Sequence, residues 1–320
     1  MISLQNFTRI SVFCFAICFA FALISYSQPT SPRDFNPTQR QQLTREYREK
    51  VKALTQSKNS GAQNVSLYLE RLRLYRVLME LNFDNSDWEM YADKFEEDLA
   101  NIIGLAPTVE NLKARASFLR ERLVHSPPSA ISELYSNNRF FERAKSDLLE
   151  ASKKATDRIT MESVYGALSD LYTLRAQLGV GNFRFLRTED KKHVVTDIRI
   201  ATDYANKAWM IADQSRSGYA SAEGLIEVYV RNADTVFKLG NYQDALNLYE
   251  SLKKMLYKSG IITDHWQCPF NVGWANVYLK LREPNKALGR LNRIQSPNGC
   301  EGYSETRQEA LRQMESLNKR

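Results

Sequence analysis

Hydrophobic residues recur along the chain at the spacing of amphipathic α-helices, with polar residues between them. Residues 38–57 carry one narrow apolar stripe, which is typical of a helix on the outside of a fold. Its members are Leu43, Tyr47, Val51 and Leu54. Leucines nearly encircle residues 64–82, so we expect a buried helix there. The chain has only 13 glycines and 9 prolines, which disfavours a β-barrel or β-sandwich with many turns. We therefore predict an all-α protein.

Residues 227–250 indicate two helices that fold back on each other at Gly240. The small side chains of Ala233 and Ala245 would lie where the two helices approach closely, with bulky side chains around them. Those bulky residues are Tyr229, Val236, Tyr242 and Tyr249. A second stretch repeats the arrangement less completely, since Pro284 replaces the expected aromatic residue. Its matching positions are Trp274, Ala275, Tyr278, Ala287 and Leu291.

This layout resembles the tetratricopeptide (TPR) repeat, a helical hairpin that stacks on copies of itself. The resemblance is specific over residues 227–294, weak over 129–213 and absent before Pro128. Ala287 follows Ala245 by 42 residues, whereas the TPR period is about 34, so we expect a longer helix or loop between the two repeats. The family implies a right-handed solenoid of antiparallel hairpins with a concave groove for peptides or partner proteins, and no common catalytic activity.

Composition shifts and repeat positions predict six segments. They are a signal peptide or anchor (1–27), a linker (28–37), a non-repeat helical N-terminal region (38–126), degenerate repeats (127–214), TPR-like repeats (215–302) and a C-terminal capping helix (303–320). In the last segment, Thr306 and Glu309 have the spacing of a capping box.

The N-terminus has the organisation of a secretory signal peptide. One positive charge, Arg9, precedes the uncharged residues 10–26, and Ser25 and Ser27 place small residues at the −3 and −1 positions of a cut before Gln28. The alternative is an uncleaved anchor, because about 17 apolar residues is the lower limit for spanning a bilayer. We predict an exported protein, periplasmic or secreted, or one that is membrane-anchored and faces outside the cytoplasm.

Charge and motif patterns indicate neither nucleic-acid binding nor an active site. The net charge is +7, but the basic residues are scattered among acids instead of forming a stripe with interleaved aromatics. His125, His193 and His265 lie in no metal-binding motif, and there is no nucleophile elbow or phosphate-binding glycine loop. His265 with Cys268 and Cys300 would supply three metal ligands at most, unless Asp264 joins them, and there is no Cys-x-x-Cys pair. We expect no enzymatic activity, no cofactor and no metal.

The resemblance implies a partner-binding groove lined by the first helix of each repeat. The groove candidates are Glu227, Asp234, Phe237, Lys238, Asn276 and Lys280. A common use of the TPR groove is to hold a peptide's C-terminal carboxylate with lysine and asparagine. Asp234 stands at one of the asparagine positions and would repel that carboxylate. Lys238, Asn276 and Lys280 leave a smaller polar patch.

Cys268 and Cys300 are the cysteines that remain if the signal segment is removed, and export would place them in an oxidising compartment. Cys268 lies at the start of the last repeat's first helix, and Cys300 lies just past the end of its second. In an antiparallel hairpin these two points share one end, so their Cα atoms could approach the roughly 4.4–6.8 Å that a bridge requires. We predict a disulfide.

Three functions are consistent with these observations. The first is an exported TPR-like scaffold that binds a protein or peptide outside the cytoplasm. The second is a structural or assembly factor of the cell envelope, held at the membrane by an uncleaved segment 10–26. The third is an all-α envelope hydrolase that uses an acid such as Glu227 or Asp234.

Overall fold

The structure, a computed structural model, describes residues 35–58, 65–83, 86–125, 133–136, 138–181, 188–215, 218–259 and 264–318. Within these ranges it contains twelve α-helices and no strand, which confirms the predicted all-α class. The helices are α1 (Pro37–Lys58), α2 (Val65–Leu81), α3 (Asp87–Leu105), α4 (Val109–Val124), α5 (Arg139–Lys154), α6 (Arg158–Gly181), α7 (Thr188–Ser215), α8 (Gly218–Lys238), α9 (Tyr242–Ser259), α10 (Asp264–Lys280), α11 (Pro284–Leu291) and α12 (Tyr303–Asn318).

The predicted signal or anchor segment, residues 1–27, lies outside the described residues. Among the helices that the structure does describe, none combines the length and the apolar character needed to cross a bilayer. The chain divides into two compact units, Met1–Leu119 and Arg120–Arg320, and the division falls within α4.

In the first unit, α2 packs against both α1 and α3. The core is built from aromatic and aliphatic side chains of α2 and α3, joined by Phe118 of α4. α1 contributes only half-buried residues to this core, among them Tyr47 and Val51, as expected for a helix with one narrow apolar stripe.

A buried ion pair lies inside this first core. The Arg71 guanidinium donates to the Asp98 carboxylate at 2.8 Å, and the two side chains are 7% and 0% exposed. The rings of Tyr68 and Tyr75 lie 5.8 and 5.9 Å from the guanidinium carbon, so aromatic faces replace part of its lost hydration. Sequence periodicity did not indicate this pair.

The second unit is a stack of antiparallel helical hairpins, α6–α7, α8–α9 and α10–α11, closed by α12. The first helices of successive hairpins pack side by side, so α6 contacts α8, α8 contacts α10, and α10 contacts α12. The second helix of each hairpin also contacts the first helix of the next one. This is the stacking that the TPR-like pattern predicts.

Alanines of both hairpins lie in the hydrophobic core of the second unit. Ala233 and Ala245 in α8–α9 are fully buried, and so are Ala275 and Ala287 in α10–α11. A side chain with more atoms would need space that the facing helix already occupies, because protein interiors are close-packed. The predicted burial of these alanines is confirmed in both hairpins.

Gly240 adopts the left-handed backbone conformation that the turn prediction required, with φ of +80°. The amide of Gly240 donates to the Phe237 carbonyl at 2.9 Å, and the amide of Asn241 donates to the Val236 carbonyl at 3.2 Å. These two hydrogen bonds form a Schellman motif, which ends α8 and satisfies its last carbonyls.

One helix boundary differs from the sequence-based expectation. The capping-box assignment in the last segment is wrong, because α12 already begins at Tyr303 and the Thr306 amide donates to the Gly302 carbonyl at 3.0 Å. The longer repeat arises largely from α9, which continues for 18 residues to Ser259.

Candidate functional site

An open groove of about 420 Å³ lies on the second unit where α8, α10 and α12 meet. α8 and α10 supply one side of the groove and α12 supplies the other. The lining residues are Phe237, Asn276, Leu279, Lys280, Gly302, Glu305, Thr306, Glu309, Arg312 and Gln313. The groove therefore combines an apolar floor with amide and charged side chains.

Three of the six predicted groove residues, Phe237, Asn276 and Lys280, line this groove. The Lys238 ammonium instead pairs with the Asp234 carboxylate at 2.6 Å, one helical turn away. Both partners are more than half exposed, so the pair contributes little to stability, but it neutralises the acid expected to repel a carboxylate.

Glu227, the remaining predicted groove residue, also does not line the groove, and it accepts a hydrogen bond from Arg231 on the same helix. The carboxylates of Glu227 and Asp234, considered as hydrolase acids, are thus both engaged by a cation four residues along α8.

Asn276 provides one of the two side-chain amides that line the groove, and Gln313 provides the other. The Oδ1 of Asn276 accepts a hydrogen bond from the Thr306 hydroxyl at 3.0 Å, and this contact orients the side chain between α10 and α12. Within the described residues the Nδ2 group donates no hydrogen bond to the protein. Two N–H donors are therefore available to an acceptor in the groove, such as a main-chain carbonyl.

Some charged side chains of the groove are paired with neighbouring residues, and others are not. Glu309 is engaged by its own helix, because Arg312 contacts one oxygen at 2.8 Å and Gln313 donates to the other at 2.9 Å. Lys280 and Glu305 form no ion pair or hydrogen bond with the described part of the chain. The groove thus presents one cation and one anion that are not compensated by neighbours.

A disulfide holds the segment that leads into α12. Cys268 and Cys300 are bonded, with Cα atoms 5.6 Å apart, which agrees with the range predicted from the hairpin geometry. Gly302 lies two residues later with φ of +74°, a conformation that favours glycine, and a Cβ there would contact Val272 of α10. The covalent bond and this close approach place α12 against α10.

Sequence reasoning missed the contribution of α12, which was assigned only a capping role. Glu305, Glu309 and Arg312 recur at intervals of four and three residues, so they share one polar face of the helix. That spacing was visible in the sequence. Whether this polar face lines the groove depends on which face of α12 is turned towards α10, and tertiary packing decides that.

Beneath the groove helices, the Tyr249 hydroxyl lies in the core of the hairpin stack. Burial raises the pKa of Tyr249 above its ordinary range, and the nearby Asp234 carboxylate adds to the effect. The Tyr249 ring stacks on Trp274 at 5.8 Å, and its hydroxyl lies where a Cβ on Gly273 would be. Tyr249 therefore serves packing between α9 and α10.

A second buried ion pair joins α6 to α7. The Arg175 guanidinium donates two hydrogen bonds to the Asp197 carboxylate, both at 2.7 Å, and lies 3.4 Å from the centre of the Phe141 ring. Burial raises the pKa of Asp197, although Arg175 opposes the shift. The bidentate geometry positions the two helices of this hairpin.

The described residues contain no cluster of three or more potential metal ligands. His193 stacks on Tyr135, with ring centres 5.7 Å apart. The side chain of His265 lies outside the described part of the structure. Cys268 and Cys300 are bonded to each other, so their sulfurs are not thiolate ligands.

No family model matches the chain, and no curated protein matches it. Among solved structures the chain is similar to the crystal structure of the yeast Tom70, with 12% sequence identity and a TM-score of 0.28. The match covers 85% of this chain and 60% of Tom70, so it spans less than two thirds of that protein.

Proposed function

We propose that the protein is an exported TPR-like scaffold that binds an extended polypeptide segment of a partner protein in the groove between α8, α10 and α12. The observation that carries the proposal is the free amide of Asn276, held in place by Thr306 beside an apolar floor. An extended peptide presents a carbonyl at every residue, and a fixed amide donor recognises that carbonyl without requiring a particular side chain.

The two unpaired charges of the groove would favour ligands with particular side chains, in addition to this main-chain recognition. Lys280 and Glu305 both line the groove, and each could pair with an opposite charge on the bound segment. The apolar floor of Phe237 and Leu279 suits a hydrophobic side chain between those charges. The expected ligand is therefore a mixed segment with at least one apolar residue, and not an acidic C-terminal tail.

Export is inferred from the N-terminal segment, with its uncharged run and the small residues before Gln28. The alternative is a membrane-anchored assembly factor of the cell envelope that uses the same groove. The mass of the protein isolated from cells separates the two. A chain that starts at Gln28 supports export without an anchor, and a chain with an intact N-terminus supports anchoring.

The groove is tested by site-specific photo-crosslinking in the native cells. A photoreactive amino acid at Leu279 should capture a discrete partner, whereas the same group at the exposed Glu250 of α9 should not. The same products from both positions, or none from Leu279, would count against the groove.

A conservative variant then tests the role of the amide. Asn276→Asp keeps an oxygen that can accept from Thr306 and removes the Nδ2 donor. We expect its affinity for the captured partner to fall about tenfold, the typical effect of losing one hydrogen bond in a binding site. Unchanged affinity in a folded variant would contradict main-chain recognition by Asn276.

A further inference from the structure

A second cleft, of about 650 Å³, lies entirely within the first unit and is unrelated to the groove. It is formed by the N-terminal half of α1, the end of α2 and the start of α3. Three arginines of α1 line it, Arg40, Arg45 and Arg48, and the acidic residue among the lining side chains is Asp87. Arginines therefore outnumber acidic residues in the lining.

The arginines differ in how they are held. Arg48 donates through Nε to the Tyr91 hydroxyl and through Nη2 to Asp87 at 2.5 Å, so its Nη1 group retains two N–H donors. Arg45 is exposed and forms no ion pair or hydrogen bond within the described residues. One guanidinium is thus fixed in place, and a second one lines the same cleft uncompensated.

A buried hydroxyl lies among these cations. Thr44 lines the cleft and is only 7% exposed, and its oxygen accepts a hydrogen bond from the Asn82 amide at 3.3 Å. Within the described part of the chain the Thr44 hydroxyl donates to no acceptor. A buried donor without an acceptor costs free energy, and a ligand oxygen in the cleft would remove that cost.

We propose that this cleft binds a phosphate group, with Arg45, Arg48 and Thr44 as its donors. Arg45 supplies a cation that no described residue neutralises, and the Nη1 group of Arg48 and the Thr44 hydroxyl supply further donors. Guanidinium groups form paired hydrogen bonds to phosphate oxygens, and the tetrahedral group accepts donors from several directions, whereas a carboxylate accepts largely in one plane.

The phosphate could belong to a soluble ester or to a lipid headgroup. Arg40 lies 14 residues after Tyr26, the last residue of the apolar N-terminal segment 10–26. That length of chain spans at most about 50 Å, so in a membrane-anchored form the cleft would remain close to the bilayer surface. The same side chains of the cleft would bind phosphate from either source, so the choice of probe distinguishes the two.

The test uses the full chain and two charge-matched variants. Arg45→Gln removes a guanidinium from the cleft, and Arg73→Gln removes an exposed one from α2 that does not line it. Calorimetric titration with inorganic phosphate should show affinity about tenfold lower for Arg45→Gln than for Arg73→Gln. Thr44→Val should lower the affinity as well, and Thr44→Ser should retain it. Melting curves establish that each variant is folded.

Vesicles identify the source of the phosphate. Phosphatidylcholine vesicles with and without phosphatidic acid are compared for both arginine variants. A response to phosphatidic acid that requires Arg45 but not Arg73, without binding of inorganic phosphate, assigns a lipid headgroup. Binding of inorganic phosphate that requires Arg45 assigns a soluble source. Equal behaviour of the two variants with every probe overturns the proposal, and so does preferential binding of a glutamate-rich peptide over phosphate.

Discussion

The hairpins α8–α9 and α10–α11 make the same turn with different residues. In α8–α9 the left-handed position is Gly240, and in α10–α11, 42 residues later, it is Arg282, with φ of +61°. The amide of Arg282 donates to Leu279 and that of Glu283 to Tyr278, which reproduces the hydrogen bonds around Gly240. A residue with a Cβ is destabilised by about 1–2 kcal/mol in this conformation. Packing of the two helices therefore imposes the turn even where the residue disfavours it.

The hairpins also differ in the helix that leaves the turn. In the first, Tyr242 begins an 18-residue helix and contacts Phe237, with ring centres 5.4 Å apart. In the second, Pro284 begins a helix of eight residues. The shorter α11 has less surface to bury against α10. One of its contacts with α10 is made by Arg290, whose guanidinium carbon lies 3.1 Å from the centre of the Trp274 ring. The disulfide then fixes the chain beyond α11 to the start of α10.

The buried alanines are common to both hairpins. A turn residue or a flanking aromatic can change because neighbouring groups compensate, whereas the line of closest helix approach has no spare volume. Alanine spacing is therefore the most reliable part of the repeat signal, and glycine at the turn is less reliable. Substitutions at the disulfide, at the buried alanines and at the turn residues should change the unfolding free energy in that decreasing order.

Loss of the disulfide should destabilise the protein most. The double variant Cys268→Ser, Cys300→Ser opens a loop of 32 residues in sequence separation, for which chain entropy predicts a loss of about 3–4 kcal/mol in unfolding free energy. Denaturant unfolding measures the loss. The control is the double variant Cys14→Ser, Cys18→Ser, which keeps Cys268 and Cys300. If thiol titration of this control, unfolded without a reductant, finds two reactive thiols, the disulfide is absent.

Enlarging the buried alanines should have the next largest effect. We expect Ala245→Leu and Ala287→Leu each to lower the unfolding free energy by about 1–3 kcal/mol, because the added atoms overpack the helix contact. Gln243→Leu, at an exposed position of α9, should change it by less than about 0.5 kcal/mol. If Ala287→Leu alone were tolerated, the shorter α11 would be free to move, and the comparison between hairpins would need revision.

Exchanging the turn residues should give the smallest effect, with opposite signs in the two hairpins. Gly240→Arg should destabilise the protein by about 1 kcal/mol, and Arg282→Gly should stabilise it by about 0.5–1 kcal/mol, because only glycine adopts positive φ without strain. Thermal unfolding compares the two variants.

Arg282→Ala separates the backbone effect from the side chain. The Arg282 side chain makes no ion pair or hydrogen bond with the described part of the protein, so alanine should leave stability nearly unchanged. Stabilisation by alanine equal to that by glycine would place the cost in the side chain and not in the turn.

Local spacing was sufficient to predict the helices, the two alanine pairs, the turn at Gly240 and the bond between Cys268 and Cys300. These features depend on residues that lie within one helix or one hairpin, where periodicity and chain reversal alone set the geometry. The pairing of Asp234 with Lys238 belongs to the same class, since the two residues are four apart on one helix, although it was not predicted.

Features that join distant segments could not be obtained in this way. The Arg71–Asp98 pair, the wall that α12 adds to the groove, and the cleft around Arg45 each depend on which helix faces are turned towards each other. Periodicity identifies the apolar face of a helix, but it does not specify the neighbour or the rotation at which the two helices meet. Those are set by the packing of many side chains at once, and in this protein they determine where the polar groups converge.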